Sequence, residues 1–275
     1  MNEPTISSPH NPRIRAAAAL RERHARDEAG RFLVDGVREI GRALDGGFEI
    51  VETFVRAEPG PGGDPDGARA ALLDRLASAG VRLVPLPPHL LARLAFGDRS
   101  QGPVAVVAAP RRSLADLPLV EDPLIVVLEG IEKPGNVGAV LRSADGAGVS
   151  AVILADPRAD PWNPNAIRAS LGTVFTVPVR IAAAADTVAW LRARGVGIVA
   201  ARVDGAREYD RLDYTGPTAI VLGSEAAGLS GAWSSEEVSA VRLPMLGSAD
   251  SLNVAATAAI LCYEALRQRR RRGPP

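Results

Sequence analysis

Three segments of this 275-residue chain concentrate side chains able to do chemistry. The first carries Asn136, Gly138 and Arg142. The second runs from Leu222 through Gly223, Ser224 and Glu225 to Gly228 and Leu229, and the third holds Leu243, Pro244, Met245, Ser251, Leu252 and Asn253. Each admits a plain structural role: Asn136 can cap a helix that stops near Gly148, Glu225 can sit in a solvated turn, and Asp250 or Ser251 can cap the last helix. Each also admits a functional one. Gly223 and Gly228 allow a backbone to approach a ligand closely, and the carboxyl end of a parallel strand is where α/β proteins hold ligands.

Other chemistries find little support. Cys262 is the only cysteine, which leaves neither a disulfide framework nor a thiolate metal site. His10, His24 and His89 are scattered without ligand spacing, so no metal is expected. No apolar run is long enough to span a bilayer, and no signal-like segment opens the chain, so a cytoplasmic protein without a membrane partner is expected. Formal net charge is zero and the pI is about 6.9, so any nucleic-acid affinity must come from local patches. Lys133 is the only lysine; every other basic residue but the histidines is arginine, whose planar group suits phosphates. Arg13, Arg15, Arg21, Arg23 and Arg26 cluster near the start, interleaved with Glu22, Asp27 and Glu28. Arg267, Arg269, Arg270, Arg271 and Arg272 read as a solvated basic tail.

These segments need elements to hold them. Residues 1–108 read as an α/β unit: a helical stretch over 13–31, a strand at 32–34 closed by Asp35-Gly36, a helix over 37–44, and strands at 50–55, 81–84 and 104–108, with a flexible loop at 59–67. Residues 109–122 read as a proline-bearing linker. From 123 to 275, strands at 124–128, 151–154, 174–179, 196–200, 219–222 and 241–243 alternate with stretches long enough for crossover helices, which predicts a mostly parallel sheet. The last helix, over 252–267, carries Ala255, Ala256, Ala258 and Ala259, and another backbone can approach it closely.

Taken in order, Asn-x-Gly-x-x-x-Arg at 136–142, Leu-Gly-Ser-Glu-x-x-Gly-Leu at 222–229 and Pro-Met-x-Gly-x-x-x-Ser-Leu-Asn-Val at 244–254 resemble the three signature motifs of the SpoU (TrmH-like) RNA 2'-O-ribose methyltransferases of the SPOUT superfamily. Ile167-Arg168-Ala169-Ser170-Leu171-Gly172 resembles the family's intervening element. The first unit is similar to an L30-like RNA substrate-binding domain, with Asp35-Gly36 and Ser100-Gln101-Gly102 fitting more loosely. The resemblance implies an α/β fold with a C-terminal trefoil-knot domain, S-adenosyl-L-methionine (SAM) as cofactor and a homodimer with the RNA site between subunits. It implies cofactor contacts at Leu222, Gly223, Leu243, Met245 and Leu252. It implies catalytic roles for Arg142, Asn136, Glu225, Ser251 and Asn253, and RNA contacts at Arg13, Arg21, Arg23 and Arg168.

The implied reaction sets its own demands. A ribose hydroxyl must lose a proton as a methyl group transfers from the sulfonium, and no metal is required. Arginine is effectively always protonated, so Arg142 is better suited to hold a phosphate or a developing alkoxide than to act as a base. The L30-like unit is more typical of members acting on large-subunit ribosomal RNA, among them actinomycete resistance enzymes against thiostrepton and avilamycin. Transfer RNA is the alternative substrate, and a non-catalytic RNA-binding protein is the alternative class. The Gly-x-Gly-x-Gly loop of the other common methyltransferase fold is absent at 129–135.

Overall fold

The structure, a computed structural model, describes residues 6–57, 64, 67–96, 102–205 and 207–271. They fall into two compact units, Met1–Pro110 with Trp162–Thr176, and Arg111–Pro161 with Val177–Pro275. Ser100 and Gln101, most of the loop at 59–67, and Arg272 lie outside the described residues.

In the first unit, α1 (Pro12–Ala19) starts where Asn11 Oδ1 accepts the Arg13 N–H at 2.9 Å and Pro12 occupies the first turn. The helical stretch over 13–31 is not continuous, because α2 (Arg23–Ala29) is a separate helix. Arg26 explains the break: only 4% exposed, it donates to Leu20 O at 3.0 Å and Arg21 O at 2.7 Å, satisfying carbonyls that a longer helix would have used. Gly30, at φ +59°, ends α2 in the left-handed conformation that glycine adopts without strain. There follow β1 (Arg31–Asp35), α3 (Val37–Asp45), β2 (Ile50–Arg56), α4 (Ala68–Ser78), β3 (Arg82–Leu86), α5 (Pro88–Leu94) and β4 (Val104–Ala108). The sheet order is β1-β4-β2-β3, with β4 antiparallel to both neighbours and β2 parallel to β3. Ile14, Leu33, Phe54, Leu86, Leu90, Leu94 and Val106 form its core.

The second unit contains β5 (Leu124–Glu129), α6 (Pro134–Gly146) and β6 (Ala151–Ala155); α7 (Pro164–Ala169) leaves it for the first unit. It resumes with β7 (Val179–Ala182), α8 (Ala184–Ala193), β8 (Gly197–Ala201), β9 (Arg207–Glu208), β10 (Thr218–Leu222), β11 (Val238–Arg242) and α9 (Val254–Arg271). The strands pair in the order β7-β6-β5-β10-β8-β11-β9, and every pairing is parallel. β5, β6 and β10 are buried at every position, as a sheet covered on both faces requires. Strand order reverses between β5 and β10, the kind of switch point that opens a crevice at the carboxyl ends.

Several expectations are corrected. The segment read as a linker is docked: Leu114 and Leu117 are buried in the second unit's core, and Arg180 donates to Ser113 O at 2.8 Å and Asp116 O at 3.0 Å. The strand expected at 174–179 is a 3-10 turn at Thr173–Phe175, with β7 starting only at Val179. Ser170 imposes that turn, its hydroxyl accepting the Gly172 N–H at 3.1 Å while Gly172 takes φ +88°. The basic tail is largely helix. Arg269 donates to the carbonyls of Tyr214, Asp122, Pro123 and Gly216, and Arg267 pairs with Glu264 at 2.6 Å. Among the described residues no helix is long and apolar enough to cross a membrane.

The excursion at 162–176 is part of the first unit's interior. Trp162 stacks on Phe32 at 4.9 Å between ring centroids, and Phe48 meets Trp162 and Phe175 edge-on at 5.6 and 5.1 Å. Arg42 Nη1 donates to Leu171 O at 3.0 Å. A β-carbon on Gly46 would stand 2.2 Å from Phe175 O, so the two segments touch backbone to backbone.

Candidate active site

The site is assembled from three loops at the carboxyl ends of β5, β10 and β11. After β5, Gly130 turns the chain at φ +64° and Pro134 opens α6, which leaves Asn136 in the first turn. Lys133, not Asn136, occupies the N-cap position. The Asn136 side chain is therefore spared for tertiary contact, and its Nδ2 donates to Glu225 Oε1 at 2.8 Å.

Glu225 lies in the loop after β10, which folds back on itself. Ser224 N–H donates to Gly228 O at 3.1 Å and Gly228 N–H to Ser224 O at 2.9 Å, with Gly228 at φ +65°. The loop's exit is pinned by Glu129, a carboxylate only 6% exposed at the end of β5. It accepts the Ser230 N–H at 2.8 Å and the Ser230 hydroxyl at 2.6 Å. Two charge-assisted bonds in so buried a place make a firm anchor.

Asn253 completes the cluster and caps α9. Its Oδ1 accepts the Ala255 N–H at 2.9 Å, and its Nδ2 donates to Glu225 Oε1 at 2.8 Å and faces Asn136 Oδ1 at 3.4 Å. Lys133 Nζ stands 3.2 Å from Glu225 Oε2. Glu225 is the hub: one oxygen takes two amides and the other an ammonium.

A cleft of about 830 Å³ opens beside this cluster, lined by the ends of β8, β10 and β11 and their loops. Leu222, Gly223, Leu243, Met245 and Leu252 all line it, as do Glu225 and Ser251. Its size suits one organic cofactor. The chemistry of the lining suits a cationic, partly apolar molecule such as SAM: aliphatic walls accompany three carboxylates, Asp204, Glu225 and Asp250. Arg202 holds Asp204 in a fork at 2.8 and 2.9 Å, and that hydrogen bonding keeps the Asp204 carboxyl below the usual carboxylate range. Among the described residues no cluster of histidine, cysteine or acidic side chains suits a metal ion. Burial pushes the Cys262 thiol up to about 12, which leaves it inert as a nucleophile.

The remaining residues are placed less closely. Arg142 is exposed on α6 and has no hydrogen bond or ion pair among the described residues. Six residues beyond Asn136, it stands about 120° round the helix from it. Ser251 is exposed on the cleft wall. The four arginines expected to contact RNA belong to the first unit and are committed there. Arg13 pairs with Glu52 at 2.5 Å and Arg23 with Asp27 at 3.6 Å. Arg21 donates to Arg93 O and Ala95 O, both at 3.0 Å, and lies over the Phe96 ring; Arg168 donates to Phe96 O at 3.1 Å. Sequence reasoning missed Glu129, Lys133 and the Arg202–Asp204 pair. A carboxylate closing the otherwise apolar run of β5 was the one available signal.

The SpoU rRNA Methylase family matches residues 123–263, and the MRM3-like substrate binding domain matches residues 11–105. A 23S rRNA (uridine(2479)-2'-O)-methyltransferase of Streptomyces viridochromogenes is 36% identical over 264 residues, covering 92% of this chain and 88% of that protein. The SpoU methyltransferase AviRb of the same organism, solved with SAM, superposes with a TM-score of 0.83 at 32% identity, covering 94% of this chain and 98% of the other. A SAM-bound rRNA methyltransferase of Sinorhizobium meliloti superposes with a TM-score of 0.85 at 29% identity, covering 96% and 97%. Family motifs, parallel sheet and cleft coincide in one chain, which belongs to the SpoU rRNA methylase family and is a SAM-dependent RNA methyltransferase.

Proposed function

We propose that the enzyme methylates a ribose 2'-hydroxyl of large-subunit ribosomal RNA. The observation that carries this reading is the Asn136–Glu225–Asn253 cluster at the rim of the SAM cleft, since it places amide groups suited to a sugar hydroxyl beside the methyl donor. When bound, SAM supplies the methyl group as an electrophile. Leu222, Leu243 and Leu252 would enclose its apolar part, with Gly223 and Met245 alongside, and the carboxylates would favour its positive charge. Asn136, Ser251 and Asn253 orient the ribose. Arg142, with its guanidinium uncommitted among the described residues, holds a phosphate or the alkoxide that develops as the hydroxyl proton passes to water. The 36% identical relative of Streptomyces viridochromogenes is a 23S rRNA methyltransferase, which favours ribosomal over transfer RNA.

The same reading makes residues 1–108 the RNA-recognition domain and 123–275 the catalytic one, and places the family's trefoil knot at the loops 223–229 and 243–254. It makes the enzyme a cytoplasmic homodimer. Ala256, Ala259 and Tyr263 recur at helical spacing on α9, and Tyr263 is 51% exposed, which supports a partner on that stripe. The likeness to AviRb, from a family that includes avilamycin-resistance enzymes, favours a role in resistance to a ribosome-targeting antibiotic.

Methyl transfer from labelled SAM to a 23S rRNA transcript and to bulk transfer RNA, followed by mapping of ribose methylation, tests the assignment. A single 2'-O-methyl nucleotide in the 23S transcript is expected, and Arg142→Ala should lose at least about a hundredfold in rate while SAM affinity stays within a few-fold. Equal labelling of transfer RNA, or label on a base, would contradict it.

A further inference from the structure

Lys133 is the chain's only lysine among 32 lysines and arginines. Its side chain is 72% exposed, and Glu225 Oε2, 3.2 Å from Nζ, is its one partner among the described residues. An ion pair so exposed adds little to stability. Glu225 does not depend on it for position either, because Oε1 already accepts from Asn136 and Asn253 at 2.8 Å each. The pair is therefore poorly explained as a brace. An ammonium carries three donors, and a single carboxylate oxygen leaves others facing solvent.

Two anions enter the proposed reaction, the carboxylate of SAM and a phosphodiester of the RNA. Glu225 lines the cleft and Lys133 is not among its lining residues, which fits the exposed ammonium better to a phosphodiester than to the cofactor carboxylate. We propose that Lys133 binds a backbone phosphate of the RNA at the methylation site and that Glu225 holds it ready in the free enzyme. The inference rests on RNA being the substrate. On binding, the phosphate replaces the carboxylate as the ammonium's partner, and no covalent bond changes.

Lys133→Met and Lys133→Arg in the full-length protein test it, with a 23S rRNA transcript as the probe. Affinity is measured from about 50 to 300 mM salt, SAM affinity by calorimetry, and KM for RNA and kcat by methyl transfer. For Lys133→Met, RNA affinity should fall and KM for RNA rise by about tenfold. The slope of log affinity against log salt should become shallower by about 0.7 to 0.9, one phosphate contact. SAM affinity should stay within twofold, and Lys133→Arg should recover most of the loss, since a guanidinium also binds phosphate. Weaker SAM binding with RNA affinity intact would overturn the proposal in favour of the cofactor carboxylate. A fall in kcat alone, with RNA affinity and salt slope unchanged, would overturn it in favour of a positioning role through Glu225. Methylation of the transcript by the unaltered enzyme establishes the RNA reading independently of either variant.

Discussion

A β-carbon at position 223 would stand 2.2 Å from Gly228 C, 2.3 Å from Gly228 O and 2.6 Å from Leu229 N. Read from the sequence, Gly223 makes room for a cofactor; in the structure, the loop's own returning backbone fills that space. A larger residue is expected to weaken cofactor binding through that backbone contact. Gly223→Val must open the Ser224–Gly228 turn and shift the loop that carries Glu225, a distortion of the order of 1–3 kcal/mol. SAM affinity should fall by at least about tenfold by calorimetry with the far-ultraviolet spectrum unchanged; normal binding would show that this loop is not part of the cofactor site. Asn136, Glu225 and Asn253, separated by up to 117 positions, were legible as motifs, and they prove to be mutual hydrogen-bond partners. The arginines were not legible in the same way. A count of charges cannot tell that Arg21 ends on the carbonyls after α5 or that Arg26 turns inward between two helices, because partners come from the fold.

Among elements, α9 carries the clearest division of faces. Ala258, Leu261, Cys262 and Ala265 are fully buried, so this face of the helix packs inside the chain. On the proposed homodimer, the stripe through Ala256 and Ala259 would take the second copy. Ala259→Arg should raise the monomer fraction in light scattering, because a dimer would have to bury an unpaired charge; a monomeric wild-type protein would sink the idea. Strands with uniform apolar runs, β5, β6 and β10, were readable from sequence because burial on both faces leaves no polar alternation. The run at 174–179 misled for a related reason: its β-branched residues suit a strand, and only Ser170 and the positive φ of Leu171 and Gly172 turn it aside. A helix of 13–31 was likewise reasonable by composition and failed on one buried side chain.

For the whole molecule, the boundary near residue 110 was visible in composition, but the excursion at 162–176 was not. An apolar segment reads the same whether it packs on its own sheet or in another unit. The consequence for dissection is direct. A chain beginning at Pro123 discards Leu114 and Leu117, each 8% exposed or less, and leaves Trp162 and Phe175 without Phe32 and Phe48. Losing a buried leucine side chain costs about 2–5 kcal/mol, and two such losses rival the stability of a whole domain. The truncated protein should show no cooperative thermal transition and should not bind SAM, while a chain beginning at Arg111 should recover part of both. Full SAM affinity and cooperative melting of the Pro123 chain would refute this.

Translation gives the aromatic cluster a further meaning. Phe48 leaves the ribosome 114 residues ahead of Trp162 (162 minus 48). At about 5–20 residues per second that interval is roughly 6–23 s, longer than many small domains need to fold. The first unit must therefore hold Phe32 and Phe48 unmatched while β5, α6 and β6 emerge behind it. What comes first in the sequence is finished late, and a chaperone binding the nascent chain has its longest opportunity on those two rings.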